Sequence, residues 1–310
     1  MKRLNILVII LLMLVTVSAC TKKEKDTVTI LTPMGSPALS QMYVEEKKDE
    51  YNYKIDAVQG ADALSSAFLT KSYDIIFAPL NLGAKMYINN QNYKLLAIVT
   101  DCNYYFVVKS ETDLTLDTVK SMNITLFGEA AMSGIISRYV LSNGNKDDIS
   151  SLNIIYVNSV ADSMSEFIKD NSICALLSEP QLSTLSTKVS GLKVLSVKDE
   201  YTKLSKLDNV PQAGCFVRSD LEKDVVSRYK NQLKDSISKV NKNVDDSAVL
   251  GNKLYSSFSV EVLKNAIPRS EIVFKDGKTA KTNAENFFKL LNDYNPKLLG
   301  GEVDEGFYFN

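Results

Sequence analysis

The sequence has 310 residues, of which 45% are hydrophobic and 24% are charged, and its formal net charge is −1. This length allows two globular domains of about 150 residues each, and the balanced charge argues against nucleic acid as a partner. The chain contains no histidine. Because histidine is the commonest general base and metal ligand, its absence disfavours most hydrolase and transition-metal chemistry. We therefore expect no metal and no cofactor.

The first 26 residues indicate export and anchoring. Lys2 and Arg3 precede an almost unbroken apolar run over 4–17, and small residues lead to Cys20. The run is shorter than the ~20 residues of a spanning helix, which favours a cleaved signal over a membrane anchor with a chance cysteine. It resembles the bacterial lipoprotein signal, which implies a signal peptide over 1–19, acylation (palmitate) of Cys20, a tether over 20–26 and a lipid-anchored location on the extracytoplasmic face of the cell membrane.

From Thr27 onward, strand and helix patterns alternate with short connections, which is typical of an α/β fold with largely parallel sheets. The predicted strands cover 28–31, 53–58, 73–78, 94–100, 104–108, 123–128, 152–157, 173–177, 192–197 and 213–218. Asp62 is predicted to cap the first long helix. Asp220 is predicted to cap another, whose apolar stripe is Val225, Val226, Tyr229, Leu233, Ile237 and Val240. The tail over 296–310 is expected to lie on the surface.

The stretch over 28–39 combines a strand, a Pro/Gly turn and the start of a helix. Ser36 is a candidate N-cap, and Pro37 suits the first helical position. Such a turn directs backbone N–H groups toward the carboxyl end of the strand, which would suit one wall of a small-molecule site. The alternative is an ordinary connection between a strand and a helix.

The stretch over 123–136 repeats this construction and indicates two domains of similar design. We expect a two-lobed fold in which each lobe is a mostly parallel sheet flanked by helices. Crossings near 104–108 and 210–218 place 27–105 plus 211–310 in the first lobe and 106–210 in the second.

Motifs for catalysis are missing from the sequence, including the glycine-rich nucleotide loops and the nucleophile elbow. Polar or small residues instead follow seven of the predicted strands. Because the carboxyl ends of the strands in open α/β sheets meet at the ligand crevice, these positions favour a cleft between two lobes. The candidate ligand-binding residues are Met34, Gly35, Ser36, Gly60, Leu80, Asn81, Asn103, Tyr104, Gly128, Glu129, Ser133, Asn158, Glu179 and Gln212.

Several segments occur in an order that resembles the solute-binding proteins of ABC importers, in particular the nitrate/sulfonate/taurine and thiamine-precursor-like branch. They are residues 33–39, 73–83, 179–180, 211–214 and 267–270. The resemblance covers most of 27–310. It implies a periplasmic-binding-protein-like fold, a small solute held between the lobes, an ABC permease and ATPase as partners, and no enzymatic activity. An enzyme on the same fold and an adhesin or sensor lipoprotein remain alternatives.

The candidate loops suggest the character of the solute. They hold Asp101, Glu129 and Glu179 but no Arg or Lys, whereas an oxyanion would favour a basic partner. Tyr104 offers an aromatic face. We therefore expect a nitrogenous heterocycle, neutral or cationic, with a sulfonate-like solute as the alternative. A disulfide between Cys102 and Cys215 is left open.

Overall fold

A computed structural model describes residues 27–145 and 148–309. The predicted signal peptide, the tether and the lipidated Cys20 lie outside these residues. Within the described spans, no helix is both long enough and apolar enough to cross a membrane.

The described residues form eleven strands. They are β1 (Val28–Pro33), β2 (Tyr53–Val58), β3 (Ile75–Pro79), β4 (Tyr93–Asp101), β5 (Tyr104–Lys109), β6 (Asn123–Phe127), β7 (Asn153–Val157), β8 (Cys174–Ser178), β9 (Leu192–Ser196), β10 (Pro211–Arg218) and β11 (Ile272–Asp276).

The helices before the second crossing are α1 (Ser36–Ser40), α2 (Met42–Glu46), α3 (Lys48–Tyr51), α4 (Ala61–Thr70), α5 (Leu80–Asn90), α6 (Leu116–Lys120), α7 (Met132–Leu141), α8 (Val160–Lys169), α9 (Gln181–Ser186) and α10 (Val197–Ser205). Those after it are α11 (Lys223–Lys242), α12 (Val244–Leu254), α13 (Val260–Ala266) and α14 (Gly277–Tyr294). Short 3₁₀ turns occupy Ile267–Arg269, Pro296–Leu298 and Glu305–Phe307.

The strands form two sheets, one in each lobe. The first has the order β11-β4-β10-β3-β1-β2 and the second the order β7-β6-β8-β5-β9. In the first sheet β1 to β4 run in one direction, because β1 is parallel to β2 and β3 and β10 is antiparallel to both β3 and β4. In the second sheet β5 alone runs against its neighbours. The predicted fold class, with largely parallel sheets, is confirmed.

The chain passes between the sheets at two places that lie side by side. Cys102 and Asn103 join β4 to β5, and residues 206–210 join α10 to β10. The backbone N–H of Cys102 donates to the carbonyl oxygen of Val210 at 2.8 Å. The strand that follows each crossing, β5 or β10, is antiparallel to both of its neighbours.

The helices that flank the first sheet include the long amphipathic helix. The buried side of α11 carries Val226, Tyr229, Leu233, Ile237 and Val240, which confirms most of the predicted stripe. The predicted caps are wrong, because α4 begins after Gly60 and α11 after Glu222, neither of which makes a side-chain capping bond. Tertiary packing decides where these helices start, and sequence spacing does not contain that information.

The C-terminal tail is part of the hydrophobic core, and the expectation that it lies on the surface is wrong. Phe307 is fully buried, and its ring lies 5.3 Å from Tyr87 and 5.9 Å from Phe288, centroid to centroid. The N–H of Phe309 donates to the carbonyl of Leu95 at 2.9 Å. The tail is held there because its aromatic side chains complete one face of the first sheet.

The three cysteines after residue 26 are Cys102, Cys174 and Cys215, and all are buried free thiols. Burial raises the pKa of the Cys102 thiol and of the Cys174 thiol to about 12 each. The disulfide that the sequence left open between Cys102 and Cys215 is not formed in this structure.

Candidate functional site

The candidate site is the cleft between the carboxyl ends of the parallel strands in the two sheets. The first lobe contributes the loops after β1, β3 and β4 and the start of β10. The second lobe contributes the loops after β6 and β8 and the start of β5. These strands are central in their sheets, so their ends meet near the two crossings.

Asn103, in the first crossing, connects the loops of the first lobe. Its Nδ2 donates to Ser36 Oγ at 2.6 Å and to the carbonyl of Ser270 at 3.4 Å. Its backbone N–H donates to Gln212 Oε1 at 3.0 Å. The structure thus brings three predicted residues, Ser36, Asn103 and Gln212, into direct contact, and Asn103 is only 1% exposed.

Ser36 does not cap its helix as the sequence analysis expected. α1 is preceded by Gly35, whose φ is 106°, and no side-chain cap bond is made. Ser36 is instead the first helical residue, and its hydroxyl accepts the hydrogen bond from Asn103. Gly35 takes a conformation that L residues rarely adopt, which leaves Ser36 free to face the crossing.

In the second lobe, the loop after β6 packs tightly against the start of α7. Ser133 Oγ donates to the carbonyl of Phe127 at 2.8 Å. A Cβ added to Gly134 would lie 2.5 Å from the carbonyl oxygen of Gly128, so only glycine allows this approach. Arg138 Nη1 donates to the carbonyl of Glu129 at 2.7 Å, which places a cation beside this loop. Glu129 itself is exposed at the rim.

Glu179 forms the principal ion pair between the lobes. Arg269 Nε of the first lobe lies 2.9 Å from Glu179 Oε1, and Arg269 Nη2 donates to Ser183 Oγ at 3.0 Å. Glu179 Oε2 accepts from the backbone N–H of Ser183 at 3.1 Å. Burial raises the pKa of Glu179, although Arg269 and Ser183 act in the opposite direction.

The segment of residues 269–271, called here the bridging segment, makes further contacts with the second lobe. Tyr105 Oη donates to the carbonyl of Arg269 at 3.0 Å. Lys198 in α10 forms an ion pair with Glu271. Together with the bond from Asn103 to Ser270, these contacts connect the first crossing and the second lobe to the bridging segment.

Two of the three acidic residues that the sequence placed in the cleft, Asp101 and Glu179, are paired with cations from distant parts of the chain. Asp101 accepts from Lys275 at 2.7 Å, as Glu179 pairs with Arg269. The candidate loops themselves contain no Arg or Lys, as the sequence shows, but the fold supplies these cations. The inference that the cleft lacks basic groups is therefore wrong.

Other predicted residues take less central positions. Gly60 and Asn158 are exposed and follow β2 and β7, which are edge strands. Leu80 is fully buried in the core, so only its backbone can face the cleft. Tyr104 is 6% exposed, and its ring packs edge-on against Phe127 at 5.9 Å.

Met34, Gly35 and Asn81 lie at the ends of the central strands β1 and β3. Met34 is half-buried, a Cβ at Gly35 would meet open space, and Asn81 is 8% exposed. Asn81 Oδ1 receives no hydrogen bond from the part of the chain that the structure describes. Whether these residues contact a ligand stays a prediction.

Sequence reasoning missed Arg269, Ser183 and the bridging segment. The signal available was residues 267–270, a segment that supported the family resemblance but carried no assigned role. The arrangement offers paired charges, buried acceptor oxygens and backbone N–H groups, which are suited to binding a small polar molecule. Among the described residues, no group of three or more Cys, Asp or Glu could hold a metal ion.

These features define the chain as a protein with the two-lobed fold of periplasmic solute-binding proteins. An ABC transporter from Parabacteroides distasonis matches with a TM-score of 0.75 and 20% identity, covering 92% of this chain and 99% of that one. The ligand binding component of an ABC-type import system from Staphylococcus aureus, with zinc bound, matches with a TM-score of 0.71 and 15% identity, covering 92% of this chain and 97% of that one.

The periplasmic aliphatic sulphonate binding protein from Escherichia coli gives a TM-score of 0.71 and 11% identity, covering 93% of each chain. At these identities the likeness establishes the fold. No family model and no curated protein matches the sequence.

Proposed function

We propose that this chain is the extracytoplasmic substrate-binding lipoprotein of an ABC importer. It captures a small polar solute between its lobes and delivers it to a membrane permease powered by an ATPase. The observation that carries the proposal is the contact between the lobes at Arg269 and Ser270. Asn103, which contacts Ser36 and Gln212, donates to the carbonyl of Ser270, and the adjacent Arg269 pairs with Glu179 of the second lobe. Two lobes connected by two short crossings can close around a molecule held at this point.

The site comprises the predicted residues at the ends of the central strands, extended by Arg269 and Ser183. The two solute classes expected from the sequence are a nitrogenous heterocycle and a sulfonate-like molecule. The two classes differ in hydrogen bonding, because the heterocycle can donate from N–H groups whereas the sulfonate only accepts. A binding site can distinguish them on this basis.

Native mass spectrometry of the full chain tests the capture of a solute. The chain is purified without denaturation, incubated with an extract of small metabolites and desalted. We expect a mass excess of one small molecule that is lost on unfolding. A chain that retains no molecule from the extract, while remaining folded by circular dichroism, would contradict the proposed function.

The lipid anchor is a separate part of the proposal and rests on the sequence around Cys20. Replacing Cys20 by Ser removes the acylated thiol, so we expect the chain to move from the membrane fraction to the soluble fraction. Cys174→Ser is the matched control, because this thiol is buried in the second lobe. Membrane retention of the Cys20→Ser chain would contradict lipid anchoring.

A further inference from the structure

The bridging segment carries two opposite charges, and each of them faces a charge of the other sign on the second lobe. Arg269 lies against Glu179, with 2.9 Å between Nε and Oε1. Glu271 forms an ion pair with Lys198 in α10. Because the signs match at both points, electrostatic complementarity favours this placement of the second lobe on the segment.

The two contact points lie on opposite sides of the first crossing. Glu179 follows β8 and Lys198 follows β9, and β5, the strand that the first crossing enters, lies between these two strands. Two strand spacings separate β8 from β9 by about 10 Å. Turning the second lobe about the first crossing would move the two points in opposite directions and would separate at least one of the pairs.

Hydrogen bonds of the segment reinforce the same contact. The carbonyl of Arg269 accepts from Tyr105 Oη at 3.0 Å, and Arg269 Nη2 donates to Ser183 Oγ at 3.0 Å. Both partners belong to the second lobe. Each of these bonds joins two protein groups, so none of them depends on a solute.

Glu271 has a backbone conformation that L residues rarely adopt. Its φ is 50°, in the left-handed region where glycine or asparagine is usual. The carbonyl of Glu271 accepts from the N–H of Asp101 at 2.9 Å, which fixes this turn against the end of β4. Glycine would satisfy the turn more easily, but it would lack the carboxylate that pairs with Lys198.

Lys198 and Glu271 form a partly buried pair. Their side chains are 23% and 30% exposed. Burial acts to lower the pKa of Lys198, but the hydrogen bond and charge of Glu271 outweigh burial, so this pKa is raised. Partly buried pairs are screened by salt much less than pairs on the open surface. The surface pair of Lys193 with Asp113, in which Asp113 is 98% exposed, is the contrasting case within the second lobe.

The bridging segment is anchored to a helix of the first lobe. α13 leads through a short 3₁₀ turn into the segment, and it packs on α9 of the second lobe. Ser270 Oγ donates to the carbonyl of Ala266 at 2.9 Å, which fixes the segment to the end of α13. The contact between the lobes is therefore made by a continuation of a helix.

We propose that the bridging segment is a latch that holds the two lobes together without a solute. A solute enters the cleft only after the pair between Lys198 and Glu271 has been broken, because the lobes cannot turn about the first crossing while both ion pairs are intact. This inference rests on the proposed function, since it describes how access to the same cleft is regulated.

Distances between the lobes test the latch in the solute-free chain. Val249 in α12 of the first lobe and Ile168 in α8 of the second are 59% and 46% exposed. Val249→Cys and Ile168→Cys are introduced into the full chain together with Cys20→Ser, and spin labels are attached. Retained solute is first removed by unfolding and dialysis, and native mass spectrometry verifies its removal. Double electron–electron resonance then gives the distance distribution.

We expect one narrow distribution for the labelled chain with an intact latch. Lys198→Glu and Glu271→Lys each set like charges together, so each should shift the distribution to longer distances. Combining both substitutions restores opposite charges and should restore the narrow distribution. Glu271→Gly suits the positive φ but lacks the carboxylate, so it should also shift the distribution while circular dichroism verifies that the chain is folded.

Lys193→Glu is the matched control, because it makes the same charge change in a pair that lies within the second lobe. It should leave the distribution unchanged. An equal shift in this control would contradict the latch, as would a broad distribution for the chain with an intact latch.

Unchanged distributions in both single variants, or a double variant that stays shifted, would also overturn the inference. Failure of the proposed function has a different signature, namely retention of no solute at all from the metabolite extract. The two results are independent, because the distances are measured without a solute.

Discussion

Asn103 Nδ2 donates a hydrogen bond of 2.6 Å to Ser36 Oγ, and this bond connects the first crossing to the loop that follows the first strand. Both residues are almost fully buried. The bond holds the amide of Asn103 so that its oxygen faces away from Ser36 and Ser270. We therefore expect Ser36 to act as a positioning residue, through the amide of Asn103.

Ser36→Ala removes the acceptor for Asn103 Nδ2. We expect a loss of about 1 kcal/mol in the free energy of unfolding, typical of one buried hydrogen bond. We also expect weaker solute binding, because the Asn103 amide is free to turn. Urea unfolding measures the first effect and titration calorimetry the second.

Ser40→Ala is the matched control in the same helix. Ser40 is also buried, but its hydroxyl donates only to the carbonyl of Pro37 within α1. A similar loss of stability with unchanged affinity is expected. Equal affinity loss in both variants would contradict the positioning role of Ser36.

The raised pKa of Glu179 predicts a pH-dependent stability with a definite sign. Burial raises the pKa of Glu179 in the folded state above its unfolded value, so between those two values the folded chain binds more protons than the unfolded chain. The contribution of this group is therefore fully present below the unfolded pKa and is lost as the pH rises through the folded pKa. Glu179→Gln lacks this titration.

Urea unfolding of the wild type and Glu179→Gln at several pH values between about 4 and 7 measures the difference. We expect the wild type to lose stability relative to the variant as the pH rises. Glu166→Gln, at an exposed surface pair with Lys169, serves as the control for the loss of a carboxylate. A relative gain of wild-type stability with rising pH would contradict the direction of the shift.

Phe307→Ala tests the role of the tail in the core. Phe307 is fully buried against the Tyr87, Phe216 and Phe288 rings. We expect a loss of about 3–5 kcal/mol in the free energy of unfolding, the usual cost of removing a buried phenyl ring. Urea unfolding followed by circular dichroism gives this number.

Leu69→Ala provides the comparison, since Leu69 is 60% exposed. Its effect should stay within about 0.5 kcal/mol, as for most surface substitutions. If Phe307→Ala were equally mild, the tail would not be a structural part of the first lobe.

The buried cysteines predict low thiol reactivity in the folded chain. Burial raises the pKa of Cys102 to about 12, so little thiolate is present near neutral pH. In a Cys20→Ser background, we expect slow reaction with an aromatic disulfide reagent and rapid reaction of three thiols after denaturation without reductant. Detection of one thiol would show a disulfide between two of the three cysteines.

The sequence carried the information for most of the fold. Strand composition and alternation with helices placed the strands of both sheets correctly except β11, because these patterns arise from local burial. The crossings were expected near 104–108 and 210–218, but those residues belong to β5 and β10, and the connections between the sheets are the few residues just before each strand. The burial of the C-terminal tail could not be predicted, because Phe307 is held by side chains more than 200 positions earlier in the chain, such as Tyr87.

The candidate site rests on the position of residues after the strands, and its role in binding stays a prediction, whereas the charges around it could not be predicted. Residues after the strands were found because parallel strands present their carboxyl ends to one crevice. Arg269 and Lys275 reach the cleft from the last third of the chain, and no local spacing connects them to Glu179 or Asp101. Electrostatic balance in a cleft depends on long-range contacts, which a single sequence does not reveal.

The second lobe is inserted in the sequence of the first, and this fixes the order in which the two lobes can be completed during synthesis. All five strands of the second sheet lie between Tyr104 and Ser196, so this lobe is continuous. The first sheet lacks its middle until Pro211–Arg218 is available to fill the gap between β3 and β4. Since domains generally fold as units, the second lobe can fold before the central strand of the first lobe has been synthesised. All strands of the second lobe are thus synthesised before the central strand of the first.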